Sequence, residues 1–206
     1  MIIKQFISMF IGTNIYVAVD ENTNKAFIVD PADPNPKAAQ FIRENGYDLE
    51  YIILTHGHAD HIGGVAFMKE QFPEAVIVAC EKEKPILSDP SLNFSREICG
   101  QAVTVDADKY VNQGDSLKVG DLELTFFHTP GHTPGGMCIL VGDTLFSGDT
   151  LFAQSVGRTD FPLSSMTQLR DAIKNKLFLL PEETKVYPGH MGATTIGKEK
   201  RSNPFV

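Results

Sequence analysis

Cysteine is scarce in this chain. Only Cys80, Cys99 and Cys138 occur in 206 residues. They are odd in number, far apart and form no Cys-x-x-Cys pair, which excludes a disulfide framework and fits a reducing, cytoplasmic setting. Positive charge is also short: 18 Lys and Arg against 26 Asp and Glu leave a net charge of −8. A broad phosphate-binding surface is therefore not expected, and nucleic acid is not an expected partner. Long apolar runs are missing too. Residues 1–19 are fairly apolar, but Lys4, Gln5, Ser8, Thr13 and Asn14 interrupt them and no small-residue cleavage site follows. Neither a signal peptide nor a membrane helix is expected. Repeats, low-complexity tracts and Ser/Gly linkers are absent. Residues 1–206 thus read as one domain, long enough to bury a sizeable core.

Against this background histidine is concentrated. Thr55-His56-Gly57-His58-Ala59-Asp60-His61 sets three imidazoles and a carboxylate directly after the apolar run Tyr51–Leu54. In an extended segment, side chains two apart project to one side, so His56 and His58 can grip one ion. Asp60 and His61 lie beyond a bend, open the next helix and point towards a second ion. Three more candidates each follow a strand beside glycine: His132 in Pro130-Gly131-His132, Asp149 in Gly148-Asp149, and His190 in Pro188-Gly189-His190. Seven nitrogen and oxygen ligands with no thiolate disfavour a closed structural zinc site. Shared between two ions, they leave positions open for water and substrate, which suits catalysis.

The surrounding pattern predicts strands at Ile2–Phe10, Asn14–Asp20, Lys25–Asp30, Tyr51–Thr55, Ala75–Ala79, Ser116–Val119, Leu122–His128, Met137–Val141, Thr144–Ser147 and Lys185–Tyr187. Helices are expected from Asn35 to before Gly46, from Ile62 to Phe72, and from Ser165 to Leu179, the last opening on a Ser165-x-x-Gln168 capping box. Residues 80–115 are charged and less regular. Strands precede helices in both halves and hairpins are frequent. An α/β architecture of mixed sheets covered by helices, in more than two layers, follows.

The Thr-His-x-His-x-Asp-His run, the later Gly-His, the Gly-Asp and the last Gly-His resemble, in identity and order, the metallo-β-lactamase fold superfamily in its hydroxyacylglutathione hydrolase (glyoxalase II-like) branch. The resemblance implies a four-layer αββα sandwich of two mixed sheets with the metals at one edge. It assigns His56, His58 and His132 to one metal, Asp60, His61 and His190 to the other, and Asp149 to both. β-Lactamases of this fold often carry Cys where Asp149 stands, which points away from antibiotics. Glyoxalase II proper adds a C-terminal helical domain that binds glutathione. Here the chain ends at Val206, soon after His190, as in short bacterial relatives. Those relatives usually follow the last His with Gly-Pro, whereas Met191-Gly192 stands here.

The implied reaction is hydrolysis of a small thioester by a metal-bridging hydroxide, with Asp60 orienting it and accepting its proton. Two divalent ions are the expected cofactors, zinc first, with iron or manganese as alternatives. Gly157-Arg158-Thr159-Asp160 also recurs in the persulfide dioxygenase branch. That keeps a mononuclear-iron sulfur oxidoreductase open beside the hydrolase, as well as a non-catalytic metal-binding protein. Arg158 is either braced by Asp160 or anchors a substrate carboxylate. His128 reads as structural. Lys198, Lys200 and Arg201 read as a solvated helix face or an anion-attracting rim. Phe152 and Phe161 read as core or as pocket wall.

Overall fold

A computed structural model describes residues 1–206. The first half builds a six-stranded sheet in simple sequence order: β1 (Ile2–Ile7), β2 (Asn14–Val19), β3 (Lys25–Val29), β4 (Asp48–Ile53), β5 (Val76–Cys80) and β6 (Lys109–Val111). β1 to β3 run antiparallel, and β3 to β6 run parallel. The second half supplies β7 (Ser116–Val119), β8 (Leu122–His128), β9 (Met137–Val141), β10 (Thr144–Gly148), the small hairpin β11 (Leu151–Phe152) and β12 (Ser155–Val156), then β13 (Lys185–Pro188) and β14 (Thr194–Thr195). Its six-stranded sheet has the order β14-β13-β10-β9-β8-β7, with β10 and β13 parallel and the other pairs antiparallel.

Alternation along the strands decides how these sheets stack. In β2, Tyr16 and Ala18 face one way, and Ile15, Val17 and Val19 the other, yet all are buried. A strand buried on both faces needs a layer on each side. Tyr16, Ala18 and Phe27 pack against Phe126, Ile139 and Phe146 of the second sheet. Ile15, Val17 and Ile28 pack under α1 (Pro36–Glu44), α2 (Ala59–Ile62) and α3 (Val65–Gln71), through Ile42, Ile62 and Met68. The outer face of the second sheet, at Cys138, Leu145 and Val186, is covered by Leu169 and Ile173 of α6 (Met166–Asn175) and Ile196 of α7 (Ile196–Ser202). Three cores between four layers make the αββα sandwich. No helix is long and apolar enough to cross a membrane.

Three expected strands, β7, β8 and β9, fall on their expected residues. Asn35 caps α1 by accepting from the Ala38 amide, and Ser165 caps α6 by accepting from Gln168. Two expectations need correction. The helix expected over 62–72 is two pieces, α2 and α3, broken at Gly63-Gly64. Gly64 lies against the backbone carbonyl of Asp33, where any side chain would collide, and its amide donates to Pro31 O at 2.7 Å. Residues 80–115 are more ordered than their charge suggested. They hold α4 (Lys84–Ser88), α5 (Ser95–Ile98) and β6.

Candidate metal centre

Four loops leave the carboxyl ends of β4, β8, β10 and β13 and meet at one edge of the two sheets. The parallel register of β10 on β13 pairs Gly148 with Pro188, so Asp149 and His190 emerge side by side. Gly189 donates its amide to Gly148 O at 2.9 Å, and a side chain on Gly189 would meet Asp149 Oδ1 and, at 2.7 Å, His61 Cε1. Glycine is thus required where the backbone walls the site. The first sheet joins the second here through the Met137 amide, which donates to Thr55 O at 2.9 Å.

The seven expected residues come together in two groups. His56, His58 and His132 form one, and Asp60, His61 and His190 the other. Asp149 lies between them: Oδ1 is 3.4 Å from His61 Nε2, and Oδ2 is 3.6 Å from both His132 Nε2 and His190 Nε2. Asp60 Oδ2 stands 3.3 Å from His190 Nε2 and 3.6 Å from His61 Nε2. All are buried except Asp149 and His190, whose side chains are 10% and 23% exposed.

The outward nitrogens explain which way the rings face. His61 Nδ1 donates to Asp30 Oδ2 at 2.8 Å. His56 Nδ1 donates to Thr55 Oγ1 at 3.2 Å, and that hydroxyl donates onward to Asp30 Oδ2 at 2.6 Å. His132 Nδ1 donates to Arg158 O at 2.7 Å. With those protons placed outward, His56 Nε2 and His132 Nε2 face each other as bare lone pairs 3.2 Å apart, and His58 Nδ1 is 2.9 Å from the latter. Acceptors converging at that distance suit a cation among them. His61 Nε2 and Asp149 Oδ1 are likewise buried with no hydrogen-bond partner. These orphaned atoms, and an all-imidazole and carboxylate donor set, fit divalent metal binding.

The electrostatics agree. Burial pushes His56 well below the usual imidazole range, and the neighbouring rings push the same way. Burial brings His58 down to about 3 and lowers His132. All three rings favour the neutral form that metal ligation requires. Burial opposes charge on His61 as well, but the carboxylates of Asp149, Asp60 and Asp30 outweigh it and raise its pKa well above the ordinary value. Burial resists charge on Asp149, yet His61, His132 and His190 outweigh it and hold the carboxyl far below its ordinary range. Asp60 is lowered for the same reason, by His61 and His190 against burial. The second group therefore calls for positive charge, which a proton or a divalent ion supplies.

A cavity of about 510 Å³ opens onto the centre, its wall including Ile11, Phe94, Phe152, Arg158, Phe161 and Met191. Phe152 and Phe161 are thus pocket wall. Arg158 borders this cavity while paired with Asp160 at 2.7 and 2.9 Å and stacked over the Phe161 ring at 4.5 Å. His128 Nε2 donates to Pro134 O at 2.8 Å and so braces the His132 loop. Arg201 pairs with Glu182 and Lys200 donates to Phe178 O, so that helix face is solvated and no rim forms.

Asp30 and Glu83 were missed in the sequence. Asp30 ends an apolar strand with φ +50, a conformation unusual for a non-glycine residue, but it has no motif spacing. Glu83 sits in Glu81-Lys82-Glu83-Lys84, which reads as surface. In the fold it is buried and accepts from the amides of Gly57 at 2.8 Å and Gly135 at 2.7 Å, tying two ligand loops together.

The sequence pattern of the metallo-beta-lactamase superfamily matches residues 9–190. The chain belongs to that superfamily. Among its superfamily relatives, hydroxyacylglutathione hydrolase GloC of Haemophilus influenzae is 36% identical over 91% of this chain and 89% of its own. A probable metallo-hydrolase, YqgX of Bacillus subtilis, is 36% identical over 95% and 93%. Solved superfamily structures agree in fold. BLEG-1, a B3 metallo-beta-lactamase, superposes with a TM-score of 0.91 at 38% identity over 99% of each chain. ETHE1 from Myxococcus xanthus gives 0.84 at 33% over 99% of this chain and 84% of that one. TTHA1623 in a di-iron-bound form gives 0.86 at 29% over 98% and 100%. The lactamase stands beside the thioester hydrolase, so likeness within the superfamily does not choose the acyl substrate.

Proposed function

We propose that residues 1–206 form a metal-dependent hydrolase of small thioesters, hydroxyacylglutathione hydrolase-like, with two divalent ions sharing Asp149. One observation carries the reading: a single carboxylate, Asp149, stands between two three-residue groups able to hold an ion, on the wall of an open cavity. His56, His58 and His132 would hold one ion and Asp60, His61 and His190 the other. Zinc is the expected metal; the di-iron form of TTHA1623 supports iron as the alternative. When bound, such ions supply a water acidic enough to ionise near neutral pH and a Lewis acid for a carbonyl oxygen.

The chain's own residues do the rest. Asp60, held ionised by His61 and His190, orients the attacking water and takes its proton at Oδ2. The Thr13 hydroxyl, 3.4 Å from that oxygen, fixes the carboxylate's rotamer. Asp30, Thr55 and the Arg158 carbonyl keep three imidazoles turned inward. The phenyl rings of the cavity exclude bulk water and position the acyl group. Arg158 contributes to substrate contact as an Arg–Asp pair. No Ser or Cys nucleophile is needed, and none lies in the ligand set.

The test is turnover of S-lactoylglutathione by protein of measured metal content, with nitrocefin as the lactam control. Thioester cleavage lost on chelation supports the reading. Lactam cleavage without thioester cleavage overturns it. The second reading, a one-iron sulfur oxidoreductase, draws on Gly157-Arg158-Thr159-Asp160 and the likeness to ETHE1. Here that segment serves the metal centre: Gly157 packs on the Asp149 carbonyl, and Arg158 O orients His132. Those roles serve either chemistry. Oxygen uptake with a persulfide and one iron per chain would favour the second reading.

A further inference from the structure

The charge on the cavity wall is unusual for a site meant to hold glutathione, whose thioesters carry two carboxylates. Of the residues that line it, only Arg158 is a non-ligand cation. Its guanidinium is held by both oxygens of Asp160 and lies over Phe161. The nearby basic residues of α7 do not reach the cavity. Glu97, on α5, is the one charged wall residue outside the metal groups that makes no salt bridge and no side-chain hydrogen bond. It shares α5 with Ile98, and Phe94 caps the start of that helix. Phe94 and Phe161 make a tilted corner with ring centroids 5.2 Å apart. Aromatic faces beside an unpaired carboxylate favour a cationic or neutral group and disfavour a carboxylate. The whole-chain charge of −8 acts in the same direction.

We infer that Glu97 is a specificity-determining residue: with Phe94 and Phe161 it favours thioesters whose remote part is cationic or neutral over those that carry carboxylates, which turn over more slowly. The inference names the substrate class of the hydrolase reading above and rests on it.

Three thioesters with one acyl group test it, differing at the far end of the thiol part, which is cationic, neutral or anionic. They are S-acetylthiocholine, its neutral dimethylbutyl isostere, and S-acetyl-3-mercaptopropionate. The quaternary ammonium cannot undergo acyl migration, so its rate reports the enzyme. The expected kcat/KM order is cation above neutral above anion, with steps of about 3-fold, the size of a partly solvated charge pair. Glu97→Lys should reverse the order and Glu97→Gln flatten it. The matching thioethers cannot be cleaved. Their binding, read from NMR shifts of the Phe94 and Phe161 rings, should rank in the same way in the wild type and reverse in Glu97→Lys. An anion preferred over the neutral compound in both assays overturns the inference, as does an order unchanged in Glu97→Lys. If none of the three esters turns over while the thioethers keep the expected ranking, the hydrolase reading fails and the charge selection stands.

Discussion

The two ligand groups are built differently. His56, His58 and His132 are buried, neutral imidazoles on two loops that Glu83 clamps together. Asp60, His61 and His190 include a carboxylate and one ring that reaches solvent. The His190 loop is tied instead to β2, where the Asn14 side-chain amide donates to Pro188 O at 2.9 Å and to Met191 O at 2.8 Å, and Met191 takes φ +68. The first group is a buried cluster of imidazole lone pairs; the second carries more charge and reaches solvent at His190. On the proposed reading, a metal in the first would be held by neutral rings and shielded from water. A metal in the second would be held more by charge, beside Asp60, and would exchange more readily.

Asp149 is the one side chain the groups share, so removing it should have the largest effect. Asp149→Ala is expected to lower kcat/KM by about 10³-fold or more, the size of losing a transition-state charge partner, and to leave less than two ions per chain by elemental analysis. Asp30→Asn sharpens the contrast. It keeps the shape but weakens the acceptor for His61 directly and for His56 only through Thr55. Competition with a chromophoric chelator should show affinity falling about 10- to 100-fold at the second group and less at the first. Equal losses would break the comparison. In the wild type, graded chelation should remove one ion well before the other, and activity should fall with that first ion.

Glu83 probes the first group alone. Glu83→Gln turns an amide NH₂ towards one of two backbone amides and should cost about 1–3 kcal/mol in urea unfolding. Burial lifts the Glu83 pKa from 4.5 to about 7, against the hydrogen bonds from Gly57 and Gly135. The folded state therefore keeps a proton that the unfolded state releases. That favours folding fully below pH 4.5, and the contribution is lost as pH rises through 7. The stability gap between wild type and Glu83→Gln should thus narrow between these pH values and stay flat outside them. The smallest effect is expected beside the second group. Met191 occupies a left-handed conformation that favours glycine. Met191→Gly should stabilise by about 0.5–1 kcal/mol, read as a higher midpoint.

How much of this was legible in the sequence follows from what each residue depends on. The β7–β8 and β9–β10 hairpins were readable because alternation and the turns Gly120-Asp121 and Gly142-Asp143 are local signals. The seven side chains that meet at the candidate site could be picked out because dense histidine spacing and glycine neighbours are local as well. Asp30 and Glu83 act only through partners 25 or more residues away, and no window of sequence holds both ends of such a contact. α4 and α5 span one turn or so, too short for a 3.6-residue period to show. For that reason Phe94 and Glu97, which shape the cavity, lay in a stretch that looked irregular.

The account stands on two ions sharing one carboxylate. Anomalous scattering from crystals of protein purified without added metal, paired with elemental analysis of the same sample, tests this directly. The predicted result is two peaks per chain, one among His56, His58 and His132 and one among Asp60, His61 and His190, with Asp149 touching both. A single fully occupied peak with the other group empty after metal is supplied would contradict it.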